Sequence, residues 1–69
     1  MYFIQVRESF QQWEDFKKEN PFETLEGVAK AYWYWRSRML VGTDMRVIRR
    51  SFMGDEEVAR HKLLEFRRK

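Results

Sequence analysis

Residues 32–35 of this 69-residue chain read Tyr-Trp-Tyr-Trp, and the run continues Arg36-Ser37-Arg38. Neighbours on a helix are set about 100° apart, so four of them span roughly 300° and cannot all enter one core. At least one ring must lie on an otherwise polar surface, beside cationic side chains. A fold for this chain therefore leaves a ring outside, where another molecule can cover it.

The length allows one domain, 1–69. A chain this short buries only about 60% of the surface its unfolded form exposes. Small domains usually compensate with disulfides, metal or self-association. Cysteine is absent, which removes disulfides, thiolate metal sites and Cys nucleophiles together. His61 is the single histidine, so a multi-histidine metal site within one chain is excluded. No cofactor or metal is expected. Aromatic residues make up 17% of the chain, which favours a ring-packed core or a self-associating surface. No apolar run approaches the ~18 residues of a spanning segment and no signal peptide is recognisable, so the expected setting is a reducing cytoplasm with no membrane partner.

The net charge of +3 is unevenly placed. Residues 1–34 hold four cations against six anions, and residues 35–69 hold ten against five. Eight of the nine arginines fall in the second half, and arginine suits planar, bidentate contact with carboxylate or phosphate. The charge reads either as a solvated basic face or as a surface for a polyanion or an acidic protein.

Tyr2 to Arg7 alternates as a strand, with Tyr2, Ile4 and Val6 on one face and Phe3 on the other. Ser9-x-x-Gln12 has the form of a capping box and opens a short helix whose stripe would be Phe10, Trp13 and Phe16. A strand through Trp13 is the competing assignment. Asn20-Pro21-Phe22-Glu23 places an N-cap, a first-turn proline and a returning acid in order. A long helix from about Pro21 to Leu40 follows, with Gly42 as its stop. Its apolar arc holds Phe22, Leu25, Val28, Ala29, Tyr32, Trp35, Met39 and Leu40, with Trp33 at the edge and Tyr34 and Arg38 opposite. Gly27 inside it costs about 1 kcal/mol relative to Ala, which close packing of a neighbour would explain. Met45 to Phe52 reads as a second strand. Gly54 breaks the chain, and Asp55, Glu56 and Glu57 would open a last helix that ends in Arg67, Arg68 and Lys69, the order a helix dipole favours. Ala59, Leu63 and Phe66 would be its inner stripe. The expected class is α+β, in the order β-α-α-β-α, with a long central helix on a sheet of about two strands. Two strands seldom stand alone, so pairing across a homodimer is an open alternative.

Catalytic chemistry is thin. His61, four residues from both Glu57 and Glu65, reads as a salt-bridge partner on a helix. No serine has an adjacent histidine, and no Gly-rich phosphate loop occurs. The acids 55–57 are explained by helix capping rather than by a metal. The chain is expected not to be an enzyme. Two surfaces remain as partner-binding candidates. The first is Trp33, Tyr34 and Arg38, joined by Lys30, since cations one turn from Tyr34 can lie against its ring and these residue types dominate interface hot spots. The bland alternative is that Tyr34 is shielded by a neighbouring element. Arg36 projects into the apolar arc, where it needs a carboxylate or must snorkel outward. The second surface is Arg46, Arg49 and Arg50, with the terminal cations. On a strand Arg46 and Arg50 share one face and Arg49 points oppositely; on an edge strand the bland alternative is that these charges only discourage stray pairing.

Phe22-Glu23-Thr24-Leu25-Glu26, an alanine-containing helix, Gly42 and then Met45-Arg46-Val47-Ile48-Arg49-Arg50 together resemble a pattern in short phage proteins. The family closest in style is that of the podophage inhibitors of bacterial RNA polymerase, with an acid-threonine-leucine-acid helix start before an arginine-bearing strand. The resemblance covers residues 22–50. It implies that the strand's cations grip an acidic surface of a host enzyme, carried by Arg49 and more loosely by Arg46 or Arg50. Ser51 stands where the next alternating arginine would belong.

The leading expectation is a binding module that inhibits or modulates a larger host protein complex, its rings docked in an apolar recess and its arginines on surrounding acids. A nucleic-acid-binding protein using the Arg-rich half is the first alternative, with single strands suiting exposed rings. A structural homo-oligomer is the second.

Overall fold

The computed structural model describes residues 1–67. Six elements follow in order: β1 Tyr2–Glu8, β2 Glu14–Asp15, α1 Leu25–Arg36, β3 Thr43–Ser51, β4 Gly54–Glu57 and α2 Arg60–Leu64. The strands form one antiparallel sheet in the order β2-β1-β3-β4. The class is α+β, but the order is β-β-α-β-β-α, and the sheet reaches four strands within one chain.

The register of β1 on β3 sorts the side chains. Ile4 sits opposite Val47 and Val6 opposite Met45, on the face that α1 covers. Ile4, Val28, Ala29, Tyr32, Met45, Val47 and Leu63 meet there, and Phe16 joins them from the loop after β2. α2 is short and is fastened by one buried residue, Leu63. Phe3, Gln5, Arg7, Arg46, Ile48 and Arg50 alternate onto the other face, which carries no helix. Ile48, opposite Phe3, is buried there outside the main core.

Several expectations from sequence are corrected. Residues 9–12 do not begin a helix. Ser9 and Phe10 adopt φ of 38° and 66°, and the Gln11 N–H donates to the Glu8 carbonyl at 2.9 Å, closing a tight turn. Positive φ at both central positions is the hairpin geometry usually filled by Asn-Gly, and for other residues it costs roughly 1–2 kcal/mol each. The chain reverses here to pair with β1, so Phe10 is 96% exposed, Trp13 crosses the helix-free face, and only Phe16 enters the core.

The central helix is shorter than 21–40. Asn20 is drawn elsewhere: its Oδ1 accepts from the Ile4 N–H at 2.9 Å, and its Nδ2 donates to the Ile4 and Phe16 carbonyls at 3.2 and 2.6 Å. That fixes the segment across β1, where Phe22 bridges to Tyr2 and the Asn20–Pro21 bond is cis. Thr24 caps instead, its Oγ1 accepting from the Gly27 N–H at 3.0 Å. A Cβ on Gly27 would lie 3.1 Å from that same oxygen, so the close neighbour is the cap itself. The helix ends at Arg36, with Ser37 as its C-cap.

Asp55, Glu56 and Glu57 open no helix. They form β4, where Arg50 faces Asp55 and Arg49 faces Glu56 across the hairpin. α2 begins only at Arg60, so Glu57 shares no helix with His61, and Ala59 is an exposed N-cap rather than part of a buried stripe. Arg68 and Lys69, expected at the helix end, lie outside the described residues.

Candidate functional site

The four rings of residues 32–35 point into four environments. Tyr32 is 1% exposed and sits in the core. Trp33 turns toward the C-terminal segment: its Nε1–H donates to the Leu63 carbonyl at 2.7 Å, and its ring meets Tyr32 edge-on. Tyr34 stands 50% exposed. Trp35 folds back over Phe16 and donates from Nε1 to Glu19 at 2.9 Å. One helix face cannot serve four consecutive side chains, and here it does not try to.

Trp33 and Tyr34 border a groove of about 860 Å³ between the second half of α1 and residues 65–67, its other walls formed by Lys30, Arg36, Ser37, Glu65, Phe66 and Arg67. The arginines stack rather than pair. The Arg67 Cζ lies 5.0 Å from the centre of the Trp33 ring. The Arg38 Cζ is 3.8 Å above Tyr34, and its Nη1 donates to the Tyr34 carbonyl, so it also closes the negative end of the helix dipole. Arg36 is half-buried, with its Cζ 5.9 Å from Tyr32 and its head turned to the groove. Among the described residues, Arg36, Arg38 and Arg67 make no ion pair; Lys30 alone does, with Glu26 one turn earlier at 2.9 Å. A groove walled by rings and by cations stacked on them suits a ligand that brings both an apolar group and negative charge.

The second set of arginines lies in a different setting. Arg46 and Arg50 stand side by side on the helix-free face, and each is engaged. Arg46 donates to Gln5 at 2.9 Å and reaches Glu57 at 3.4 Å. Its Cζ and that of Arg7 clamp Trp13 from 4.4 and 4.5 Å, while Arg7 pairs with Asp44 at 3.1 Å. Arg50 lies over Phe3 at 4.2 Å, makes a two-armed contact to Asp15 at 3.0 and 3.1 Å, and another to Asp55 at 2.9 and 3.2 Å. Asp15 also accepts from Gln5 at 2.9 Å. The Arg50 hydrogen bonds hold Asp15 below the ordinary carboxylate range, with Gln5 adding to the effect, and hold Asp55 below it too. The same bonds push Arg50 further above its already high value. One guanidinium thus ties β2, β3 and β4 together. Three arginines on this face meet four carboxylates, so its local charge is not basic. Arg49 points to the helix side, exposed, with Glu56 at 3.4 Å.

The candidates named from sequence therefore separate. Trp33, Tyr34 and Arg38 gather at the groove and its rim; Arg46 and Arg50 join the sheet lattice; Arg49 stands apart from both. Arg36 and Phe66 were not singled out as site residues, and Arg67, grouped from sequence with the strand arginines as a terminal cation, lies at the groove instead. The signal for Arg36 was its place in an apolar arc, which obliges its head to leave the core beside Trp33. Phe66 gave no such signal, and Arg67 could not be assigned to the groove, because their position depends on how α2 docks. Among the described residues no three His, Cys, Asp or Glu side chains are grouped to hold a metal ion, and no helix is long and apolar enough to cross a membrane. Comparison of the chain with protein-family models, with curated proteins and with solved structures finds no match.

Proposed function

We propose that this chain is a non-enzymatic binding module that receives an acidic, ring-bearing segment of a larger protein in the groove between α1 and residues 65–67, and modulates that protein by occlusion. One observation carries the reading. The helix-free face pairs its arginines internally, whereas Arg36 and Arg67, which line the groove together with Glu65, and Arg38 at its rim stack on rings and make no ion pair among the described residues. Tyr, Trp and Arg are the residues that most often carry interface energy, at about 2 kcal/mol or more each. A carboxylate entering the groove gains a charge-assisted hydrogen bond without first breaking an ion pair.

The phage-like pattern supports a host protein as the partner, and it favours a different contact, Arg49, which is exposed and among the described residues pairs with Glu56 alone. The two contacts are separable. The test is affinity capture from a nuclease-treated bacterial lysate with wild type, Arg36→Glu, Tyr34→Ala and Arg49→Ala. The groove reading expects the captured protein to be lost with the first two variants and kept with the third. Loss with Arg49→Ala alone would move the site to the strand. Capture that disappears on nuclease treatment would replace both with nucleic-acid binding.

A further inference from the structure

The molecule carries, on its own surface, a segment of the kind the groove is built to take. The Ser9-Phe10 turn holds two non-glycine residues at positive φ and presents a phenyl ring that touches almost nothing. Backbone in that region persists only where its surroundings enforce it, and it recurs at binding sites, where it fixes a side chain in advance. Glu8 and Glu14 flank the turn, are exposed, and make no ion pair among the described residues. Leu40 stands beside them: it shares a hollow of about 480 Å³ with Glu8, Gln11 and Glu14 and with Arg7 and Arg38, neither of which pairs with those acids, and it is 81% exposed, with Val41 fully so.

We infer that the occupant of the groove is, in the free protein, the β1–β2 turn of a second copy of this chain: Phe10 enters between Trp33, Tyr34 and Phe66, while Glu8 and Glu14 meet Arg36 and Arg67. Charge complementarity argues for it: Glu8 and Glu14 flank the ring without an ion pair, and the groove's lining, Lys30, Arg36 and Arg67 against Glu65, is net basic, with neither arginine ion-paired among the described residues. Topology argues for it too. Glu8 lies opposite Thr43, where the chain arrives from the end of α1, so the turn and the groove's helix end occupy one end of the molecule. Two copies related by a two-fold axis can each give a turn and each receive one. Stable interfaces take about 800 Å² from each partner, which a single ring with two aliphatic neighbours does not supply; reciprocal insertion doubles the contact. Self-association then masks the groove and competes with any outside partner for it. The inference rests on the proposed reading only for the kind of ligand the groove accepts.

Sedimentation of the purified protein over a concentration series, at low and high salt, tests it. The wild type is expected to shift from the 8.7 kDa monomer to a dimer as concentration rises, and to weaken as salt rises. Phe10→Gly suits the turn's backbone better than the native residue, so its melting temperature should stay level or rise while the dimer dissociation constant increases at least tenfold. Arg36→Glu should likewise be monomeric. Mixing these two variants leaves one intact turn facing one intact groove, so the mixture should associate more weakly than wild type and more strongly than either variant alone. A wild type that stays monomeric to millimolar concentration, a Phe10→Gly variant that associates like wild type, or a mixture that associates no more strongly than either variant alone would each overturn the inference. Because only purified chain is used, a monomer that still captures a lysate protein sinks this inference and spares the proposed function. A dimer that captures nothing does the reverse.

Discussion

The two faces of this small sheet-and-helix fold use arginine in opposite ways. On the helix-free face Arg7, Arg46 and Arg50 lie over Trp13 and Phe3, and each also has a carboxylate. At the groove and its rim Arg36, Arg38 and Arg67 lie near Tyr32, Tyr34 and Trp33, and among the described residues none makes an ion pair, although Glu65 lines the same groove. Stacking is common to both; pairing is what differs. A paired arginine over a ring covers apolar sheet surface and joins strands. A stacked arginine without an acid is an unfinished ion pair. Arginine count alone therefore says little about where a basic protein binds its partner.

The largest expected effect is at Arg50. Arg50→Met keeps a long side chain over Phe3 but leaves Asp15 and Asp55 facing each other without a cation, and it unties β2 from β4. The melting temperature should fall by about 10 °C. The same substitution at Arg36 should move it by less than about 3 °C, since no pair is broken. Comparable losses at both positions would erase the distinction between the faces.

Acid provides a second, smaller contrast. Asp15 and Asp55 have folded values below those of the unfolded chain, so their stabilising contribution is complete above the ordinary carboxylate value of about 3.9 and is lost as pH falls through the lower folded values. Thermal melts between pH 4 and pH 2 should show wild type losing stability more steeply than Arg50→Met, which has lost the cause of the shift. Parallel curves would mean that the lattice does not hold these carboxylates. Tyr34→Ala comes next: the exposed ring should cost less than about 5 °C while abolishing capture. Trp33→Ala is the poorer probe, because its bond to the Leu63 carbonyl makes it part of what seats α2.

What could be read beforehand divides along similar lines. β1 was visible because its alternation survives in three apolar residues, and β3 because Met45, Val47 and the arginines keep period two. The dispersal of the four rings followed from helical geometry alone. β2 was hidden: its turn runs through Ser9 and Phe10, which advertise no left-handed backbone, and Phe10, Trp13 and Phe16 happened to recur at helical spacing. β4 was hidden by its acids, which mimic the start of a helix. A signal did exist there, since Arg49-Arg50 and Asp55-Glu56 mirror each other across a short stretch ending in Gly54, as cross-strand pairs in a hairpin would. Asn20 misled because its side chain can bond a strand's backbone as readily as cap a helix, and only the position of Ile4 decides which. The groove depends on how Leu63 docks α2 against α1, a long-range event with no local mark.

Lys30 gives the finest test, because it breaks the match between location and pairing. It belongs to the groove wall, yet it is held by Glu26 in an i,i+4 pair with both side chains more than half exposed. Such pairs contribute about 0.3–0.5 kcal/mol, so Lys30→Gln should move the melting temperature by no more than about 2–4 °C. If pairing governs availability, this variant should weaken partner capture much less than Arg36→Gln, although both remove one positive charge from the same groove. If location governs, the two losses should be equal, and the binding strength should track the groove's total charge. Isothermal titration with the captured partner, run on both variants at two salt concentrations, separates the cases: a mere charge effect fades equally for both as salt rises, whereas a direct Arg36–carboxylate contact, shielded inside the groove, keeps most of its difference.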